Sequence, residues 1–484
     1  MSANLSNLLP SALWKHFEEF LKIPHGSANE QALGDYIVSV AERLNLEWKR
    51  DRVGNVVVSK PASPGYEDAE GVILQGHLDM VCEKNSDVTH DFEKDPIQAE
   101  IQGDWVQAKG TTLGADNGIG DCAGLAILED NSLEHPALEC LFTVEEETGL
   151  TGATQLQPGF LKGKKLLNLD SEDEGEFTIG CAGGADSRIF LPLTTEAAAD
   201  GEQLQVKISG LQGGHSGVDI NLGRGNAIKL LARLLWQVKK GVPHQLASIE
   251  GGNLRNAIPR EAWATVSVKP EDKEAFISAA KKTFESVQDE YRVVDPEAAL
   301  TIEPPAESAT VLLSPDSQKT LINLLFSLPH GVIAWHPEME GLVETSTNLA
   351  VIRTHENRAE IICSTRSSTA TALEAARSVL ASLSELAGAE IELEDGYPGW
   401  KPNLQSPLLQ ILKDVYHDLF DQEPQVAAIH AGLECGIIGE KFPGMDMISF
   451  GPTIKFPHSP SEKVHIPSVE SFWKFLLKLL SELK

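Results

Sequence analysis

Val72–Asp79 reads VILQGHLD, an apolar run of β-branched and large side chains that stops at Gly76 and is followed at once by an imidazole and a carboxylate, His77 and Asp79. So short a run predicts a buried strand, and ligands collect at the carboxyl ends of such strands in open α/β sheets. Residues two apart on an extended chain point the same way, so Asp79 is placed to hold the His77 ring in one tautomer, as is usual behind a metal-bound histidine. Taken alone, the triplet reads as an ordinary solvated loop end rather than a site. Further donors at other strand ends are needed to decide.

Upstream of this strand, Leu13, Phe17, Phe20 and Leu21 share one face of a helix over 12–23. Ser27, with Glu30 three residues on, reads as a capping box for a second helix, whose stripe is Leu33, Ile37, Val40, Ala41 and Leu44. Strands are predicted at 46–50 and 53–58, and again at 138–144 and 165–169. Between these pairs lies GTTLGADNGIG, residues 110–120, whose glycines tolerate positive φ and which runs into a helix carrying Leu125, Ile127 and Leu128. Strands alternating with helices argue for an α/β sheet buried on both faces.

The texture changes after Gly180–Gly184. Strand 203–209, helix 226–238, strand 262–268 and helix 273–287 form one run. Strand 299–302, helix 318–326, strand 359–363, helix 370–386 and strand 390–394 form a similar second one, without a sequence repeat that proves duplication. Residues 187–399 therefore read as an inserted α+β domain, and the turn-rich DGYPGWKPN at 395–403 leads back. A helix at 407–419, strands at 426–429 and 447–450, and a closing amphipathic helix after Ser468 resume the first pattern. The expected organisation is a catalytic domain made of 1–186 and 400–484, with the middle protruding.

Composition narrows the function. With 71 acidic against 40 basic side chains, the formal charge of −31 repels phosphate backbones and anionic lipid, so no nucleic-acid or membrane partner is expected. No apolar stretch approaches the ~18 residues of a membrane span. The opening MSANLSNLLPSALWKHFEEF lacks the basic region and apolar run of a signal peptide. Six scattered cysteines without a CxxC pair read as reduced thiols in a cytoplasmic protein. Cys82, near the HxD triplet, has no imidazole to activate it and reads as structural or incidental.

The other strand ends carry Asp116 in LGADNG, Glu145, Glu146 and Glu147 in FTVEEETG, and Asp170 in LLNLDSED, while His458 in FPHSP completes the set. Singly, each has a structural explanation: an Asx-turn, a solvated glutamate run, a strand cap. Together, two imidazoles and three carboxylates just beyond hydrophobic strands are what a pair of Zn²⁺ ions requires, with Asp116 the candidate bridge. Consecutive side chains at a strand end diverge, so Glu147 can ligate while Glu146 faces the water as general base. Burying five ionisable groups together with nothing to compensate them would be very costly, which disfavours a purely structural account.

The set GHLD, LGADNGIG, TVEEETG, NLDSED and FPHSP resembles, in order and spacing, the zinc peptidase family that includes carboxypeptidase G, acylases, tripeptidases and dipeptidases. GGHSGVDINLGRGNAIKLL, GGNLRNAIPREAWATV and IHAGLECGIIG look like its bacterial dipeptidases acting on Xaa-His. The resemblance implies an α/β zinc-peptidase catalytic domain, a mixed sheet flanked by helices, with an inserted α+β lid domain. It implies that His77 and Asp170 hold one zinc, Glu147 and His458 the other, and that Asp116 bridges them. Asp79 would orient His77, and Glu146 would take a proton from the attacking water and pass it to the leaving amine. An aspartate at Asp170 goes in this family with aminopeptidase-type enzymes.

On the lid, His215 is similar to a histidine that polarises the substrate carbonyl, and Asn256 and Arg366 match substrate-gripping positions. An arginine at the end of a strand suits bidentate capture of a free α-carboxylate, and Gly432 and Glu434 are expected along the pocket. The implied activity is hydrolysis of unblocked dipeptides, including Xaa-His dipeptides such as carnosine, with two Zn²⁺ per subunit, Co²⁺ or Mn²⁺ as substitutes, and a homodimer joined through the lid. The alternatives are an N-acyl amino-acid deacylase or carboxypeptidase on the same scaffold, or an inactive metal-binding interaction protein, which would have no need of Glu146.

Overall fold

The structure, a computed structural model, describes residues 4–198 and 201–484. The chain divides into two compact units, one built from residues up to Cys181 with Trp400–Ala428 and Leu433–Lys484, the other from Ala182–Gly399 with Ile429–Gly432.

The first unit is organised on an eight-stranded sheet in the order Glu47–Arg50, Val56–Lys60, Leu138–Thr143, Val72–His77, Lys165–Asn168, Asp446–Ser449, Glu176–Cys181, Gln425–Ile429. Leu138–Thr143, Val72–His77, Lys165–Asn168 and Asp446–Ser449 run parallel, and the register pairs His77 with Thr143 and Asn168 with both Gln75 and Ser449. Their carboxyl ends are therefore nearly level. Every residue of Val72–His77 and Leu138–Thr143 is buried, as expected of strands covered on both faces. The covering helices include Ser11–Phe20, which buries Leu13, Phe17 and Phe20, and Ala115–Glu129, almost wholly buried.

A small antiparallel sheet places one more segment. Ile454–Lys455 pairs with Lys463–His465, which pairs with Trp105–Ala108. Residues 456–462 thus form a hairpin tip, in which Phe456 and His458 take positive φ of 56° and 57°. A left-handed backbone at two non-glycine residues is local strain of the kind that clusters at functional sites.

The expected capping box does not form. The helix begins at Gln31, the Ser27 hydroxyl donates to Asp79 Oδ2, and the Glu30 carboxylate accepts the N–H groups of Ala28 and Glu145. Tertiary acceptors and donors outcompete the local pairing. The strand expected over 138–144 ends at Thr143, Glu145 takes a left-handed φ of 50°, and Glu146–Gly149 is a short helix. Glu146 and Glu147 therefore diverge by the ~100° step per helical residue, not by strand alternation.

The second unit is a nine-stranded antiparallel sheet with the helices Ala227–Val238, Lys273–Tyr291, Pro315–Ser327 and Ala370–Ala387 packed on it in one apolar core. Gly183–Pro192, Gln245–Gly251, Gly331–Trp335 and Val343–Thr354 are strands without a counterpart in the sequence reading. QLASIEG and VETSTNLAVIRT mix small polar with apolar residues and offer no clean alternation.

Candidate metal centre

Beyond the level carboxyl ends of the parallel strands, side chains from five segments converge. His77 closes its strand, Asp170 follows Lys165–Asn168, Glu146 and Glu147 open the short helix, Asp116 lies at the start of the Ala115–Glu129 helix, and His458 comes in on the hairpin tip. His77 Nε2 lies 3.2 Å from Asp116 Oδ1 and 3.3 Å from Asp170 Oδ1. His458 Nε2 lies 3.2 Å from Asp116 Oδ2 and 3.1 Å from Glu147 Oε2. Asp116 thus turns one oxygen to each imidazole.

Donor atoms cluster accordingly as His77, Asp116 and Asp170, as Asp116, Glu147 and His458, and as His77, Glu146 and Glu147, each set lying within 4.8 Å. The first two share Asp116, which is the layout of two cation positions with a bridging carboxylate. Two imidazoles and three carboxylates are a donor set suited to zinc. Glu147 Oε1 is buried without a hydrogen-bond partner among the described residues, an acceptor that a cation would satisfy.

The electrostatics agree with that fit. Burial alone would lower the His77 pKa, but the Asp170, Asp116 and Asp79 carboxylates outweigh it and hold it well above the usual value. Hydrogen bonds to Asp116 and Glu147 lift His458 to about 11. Burial pushes Asp170 up to about 7, and raises Glu146 well above the ordinary carboxyl range with Asp170, Glu434 and Glu147 adding to the effect against His77. So dense a set of buried carboxylates wants positive charge.

Asp79 acts on three neighbours at once. The nearer acceptor for His77 Nδ1 is the Asp79 backbone carbonyl, at 3.0 Å, with the carboxylate Oδ1 at 3.6 Å. The carboxylate accepts the N–H of Glu146 at 2.9 Å and that of Glu147 at 3.2 Å. Nδ1 keeps its proton on a carbonyl, so Nε2 of His77 is the atom that offers a lone pair once a bound cation displaces the other ring proton.

Of the expected substrate residues, Glu434 belongs to the first unit. It opens the Glu434–Lys441 helix, is buried, and its Oε2 accepts from Thr143 Oγ1 and Gln75 Nε2, each at 2.6 Å, while burial lifts its pKa to about 7. His215, Asn256, Arg366 and Gly432 belong to the second unit. His215 Nδ1 accepts the N–H groups of Gly217 and Val218 at 3.2 and 3.3 Å, which puts the ring proton on Nε2. Burial and the neighbouring Arg366 lower its pKa, with Asp219 opposing them, which favours the neutral ring. Arg366 Nη1 donates to the Tyr397 hydroxyl at 2.7 Å, and its buried Nε has no partner among the described residues. Asn256 is exposed, and its carbonyl accepts from Ser216 N–H at 2.8 Å. Gly432 lies against Tyr397, whose ring a Cβ would approach to 2.8 Å.

Sequence reasoning missed the parts played by Ser27, Gln75, Thr143, Asp121 and Glu462. Gln75 and Thr143 lie inside the motifs VILQGHLD and FTVEEETG, but their partners are distant in the chain, and Ser27 was assigned to a helix cap. Glu462 follows His458 by four residues, and that spacing carries no signal of its own. Cys82 Sγ contacts the Met80 carbonyl, and burial lifts its thiol to about 11, which disfavours the thiolate at neutral pH.

The chain matches the Peptidase family M20/M25/M40 over residues 73–482. It is 44% identical to the cytosol non-specific dipeptidase of Escherichia coli (strain K12) over 482 residues, 99% of each chain. Among solved structures, it is similar to the crystal structure of aminoacylhistidine dipeptidase from Vibrio alginolyticus, with a TM-score of 0.93 and 45% identity over 99% of this chain and 98% of that one. A tripeptidase from Staphylococcus aureus shares the fold, with a TM-score of 0.57 and 14% identity over 98% of this chain and 99% of the other.

Proposed function

Because this chain belongs to peptidase family M20/M25/M40, we propose that it is a two-metal dipeptidase that hydrolyses unblocked dipeptides, Xaa-His dipeptides such as carnosine among them. Identity of 44–45% across essentially the whole chain to two dipeptidases supports the substrate class. The observation that carries the reading is the pair of donor clusters sharing Asp116, with the Glu146 carboxylate beside them.

His77 and Asp170 would hold one ion, Glu147 and His458 the other, and Asp116 both. Zinc suits this donor set, and cobalt or manganese would substitute. Bound there, the ions would supply Lewis acidity, acidifying a water and polarising the scissile carbonyl. Glu146, its proton affinity raised by burial and neighbouring carboxylates, takes the proton of the attacking water and delivers it to the leaving amine. Asp79 sets both His77 and the backbone of Glu146 and Glu147. His215 donates from Nε2 to a substrate carbonyl oxygen, Asn256 adds a polar contact, and Arg366 takes the α-carboxylate through its fork of N–H groups. Gly432 and Glu434 are the remaining positions assigned to substrate binding.

The same reading makes the protein a cytoplasmic homodimer joined through the second unit. Free cysteines, the name of the Escherichia coli relative, and the exposed apolar Ile333, Trp335, Val379 and Leu386 support it. No helix among the described residues is long and apolar enough to cross a membrane.

The test is a dipeptide panel, with carnosine and N-acetyl controls, on chelated enzyme with zinc, cobalt or manganese restored. Cleavage of free dipeptides only after metal is returned is the expected result. Hydrolysis of N-acetylated substrates alone would overturn the reading in favour of a deacylase.

A further inference from the structure

Glu462 is buried at 2% exposure, and both its oxygens are fully engaged. Oε2 accepts the N–H of Leu113 at 2.6 Å and of Gly114 at 3.1 Å, and Oε1 accepts the N–H of Ala115 at 2.7 Å and of Asp116 at 3.3 Å. Four consecutive backbone donors close on one carboxylate, which Gly114 permits with a φ of 75°. Such a nest binds an anion by converging N–H dipoles.

This is not an ordinary helix cap. Gly114 has no side chain to cap with, and Asp116 and Asn117 hold non-helical backbone angles, with ψ of 111° and 25°. The segment that carries Asp116 is therefore not positioned by a regular helical turn. Its N–H groups are held by Glu462, and Glu462 sits in the same hairpin tip as His458, where its own N–H donates to the Ser459 carbonyl at 2.9 Å. One carboxylate thereby ties the loop of Asp116 to the loop of His458, whose side chains meet at 3.2 Å.

We infer that Glu462 is a positioning residue for the metal centre: by gathering the backbone N–H groups of residues 113–116 it fixes where Asp116 stands relative to His458 and so sets the affinity of both cation positions. The inference rests on the reading of Asp116 and His458 as ligands. Glu462 touches neither substrate nor cation, because all its acceptor capacity is spent on the backbone.

The experiment compares Glu462→Gln and Glu462→Asp with the wild type and with Ser406→Ala. Ser406 caps the Pro407–Phe420 helix, accepting Leu409 N–H at 3.0 Å, so its loss weakens the fold without bearing on any donor atom. Metal-free protein is titrated with Zn²⁺ against a chromophoric chelator, the absorption spectrum of the cobalt-loaded protein is recorded, and kcat and KM are measured. Glutamine keeps the shape but turns an amide N–H₂ toward two of the four N–H donors, and aspartate keeps the charge but falls short by a methylene.

Expected for Glu462→Gln is an affinity about 10–100-fold weaker, the usual effect of losing a partner that orients a ligand. The cobalt bands should shift, and the fall should appear in kcat with little change in KM. Glu462→Asp should do the same more mildly, and it decides the matter if the glutamine variant does not fold. Ser406→Ala should lower Tm and leave both the affinity and the spectrum at the wild-type values. If the Glu462 variants lose Tm while binding metal as tightly as wild type with an unchanged spectrum, the residue is a structural cap only and the inference is wrong. Wild-type protein that binds no metal would instead overturn the reading of the site beneath it.

Discussion

Replacing Glu146 by glutamine should separate chemistry from binding. The side chain accepts no hydrogen bond among the described residues; the ties are in the backbone, whose N–H donates to Asp79 Oδ1 and whose carbonyl accepts the Leu150 N–H. The substitution therefore removes a proton acceptor and little else. Because burial, Asp170, Glu434 and Glu147 all oppose ionisation of Glu146, a neutral amide should leave Tm unchanged or slightly raised. A positioned general base contributes about 10²–10⁴-fold. The expected loss in kcat is of that size, about 3–5 kcal/mol at 1.36 kcal/mol per decade. The assay is steady-state hydrolysis of a cleavable dipeptide, with metal content measured on the same samples by mass spectrometry. KM and metal occupancy should hold while kcat collapses. Dipeptide hydrolysis left intact with the ions still bound would refute the role given to Glu146.

Three further outcomes follow from the geometry. Gly76→Ala should cost at least about 1–3 kcal/mol by overpacking, because its Cβ would stand 2.3 Å from Asn117 Oδ1 and 2.4 Å from Asp121 Oδ1, and thermal melts read the loss directly. Asp121→Asn should stabilise the protein by about 1–3 kcal/mol at neutral pH, since both carboxylate oxygens are buried without a partner among the described residues. Burial raises the Asp121 pKa well above the free value of 3.8, so the folded state holds the proton longer. Wild-type stability on this account falls as pH rises above that value, and the gain from Asp121→Asn should be larger at pH 8 than at pH 5; equal gains at both would contradict it. Removal of metal by a chelator should abolish hydrolysis and lower Tm, and returning zinc should restore both, because a ligand that binds only the folded state stabilises it by mass action.

Much of the candidate site was legible in the sequence because its signals are local. An apolar run closed by a histidine marks Val72–His77 as a buried strand with a donor at its mouth, and the same logic picks out Asp170 after LLNL and the glutamates after LFTV. Burial on both faces demands continuous hydrophobicity, and a donor at the rim must follow it within a few residues. The order of these motifs carried the family. The boundary of the central strand, the glycine-rich entry to the Ala115–Glu129 helix and the closing helix were readable for the same reason.

What tertiary structure alone decided is which atoms meet. Glu462 grips a loop 346 to 349 positions away, Gln75 reaches Glu434 across 359, and Ser27 gives its hydroxyl to Asp79 instead of capping the next helix. A hydrogen bond between distant segments leaves no periodicity behind, since either partner alone looks like any polar residue in a loop. The tautomer of His77 hangs on a carbonyl, which has no letter in the sequence at all. Chain-local chemistry chose the elements and their donors, and packing chose the bonds that hold those donors in place.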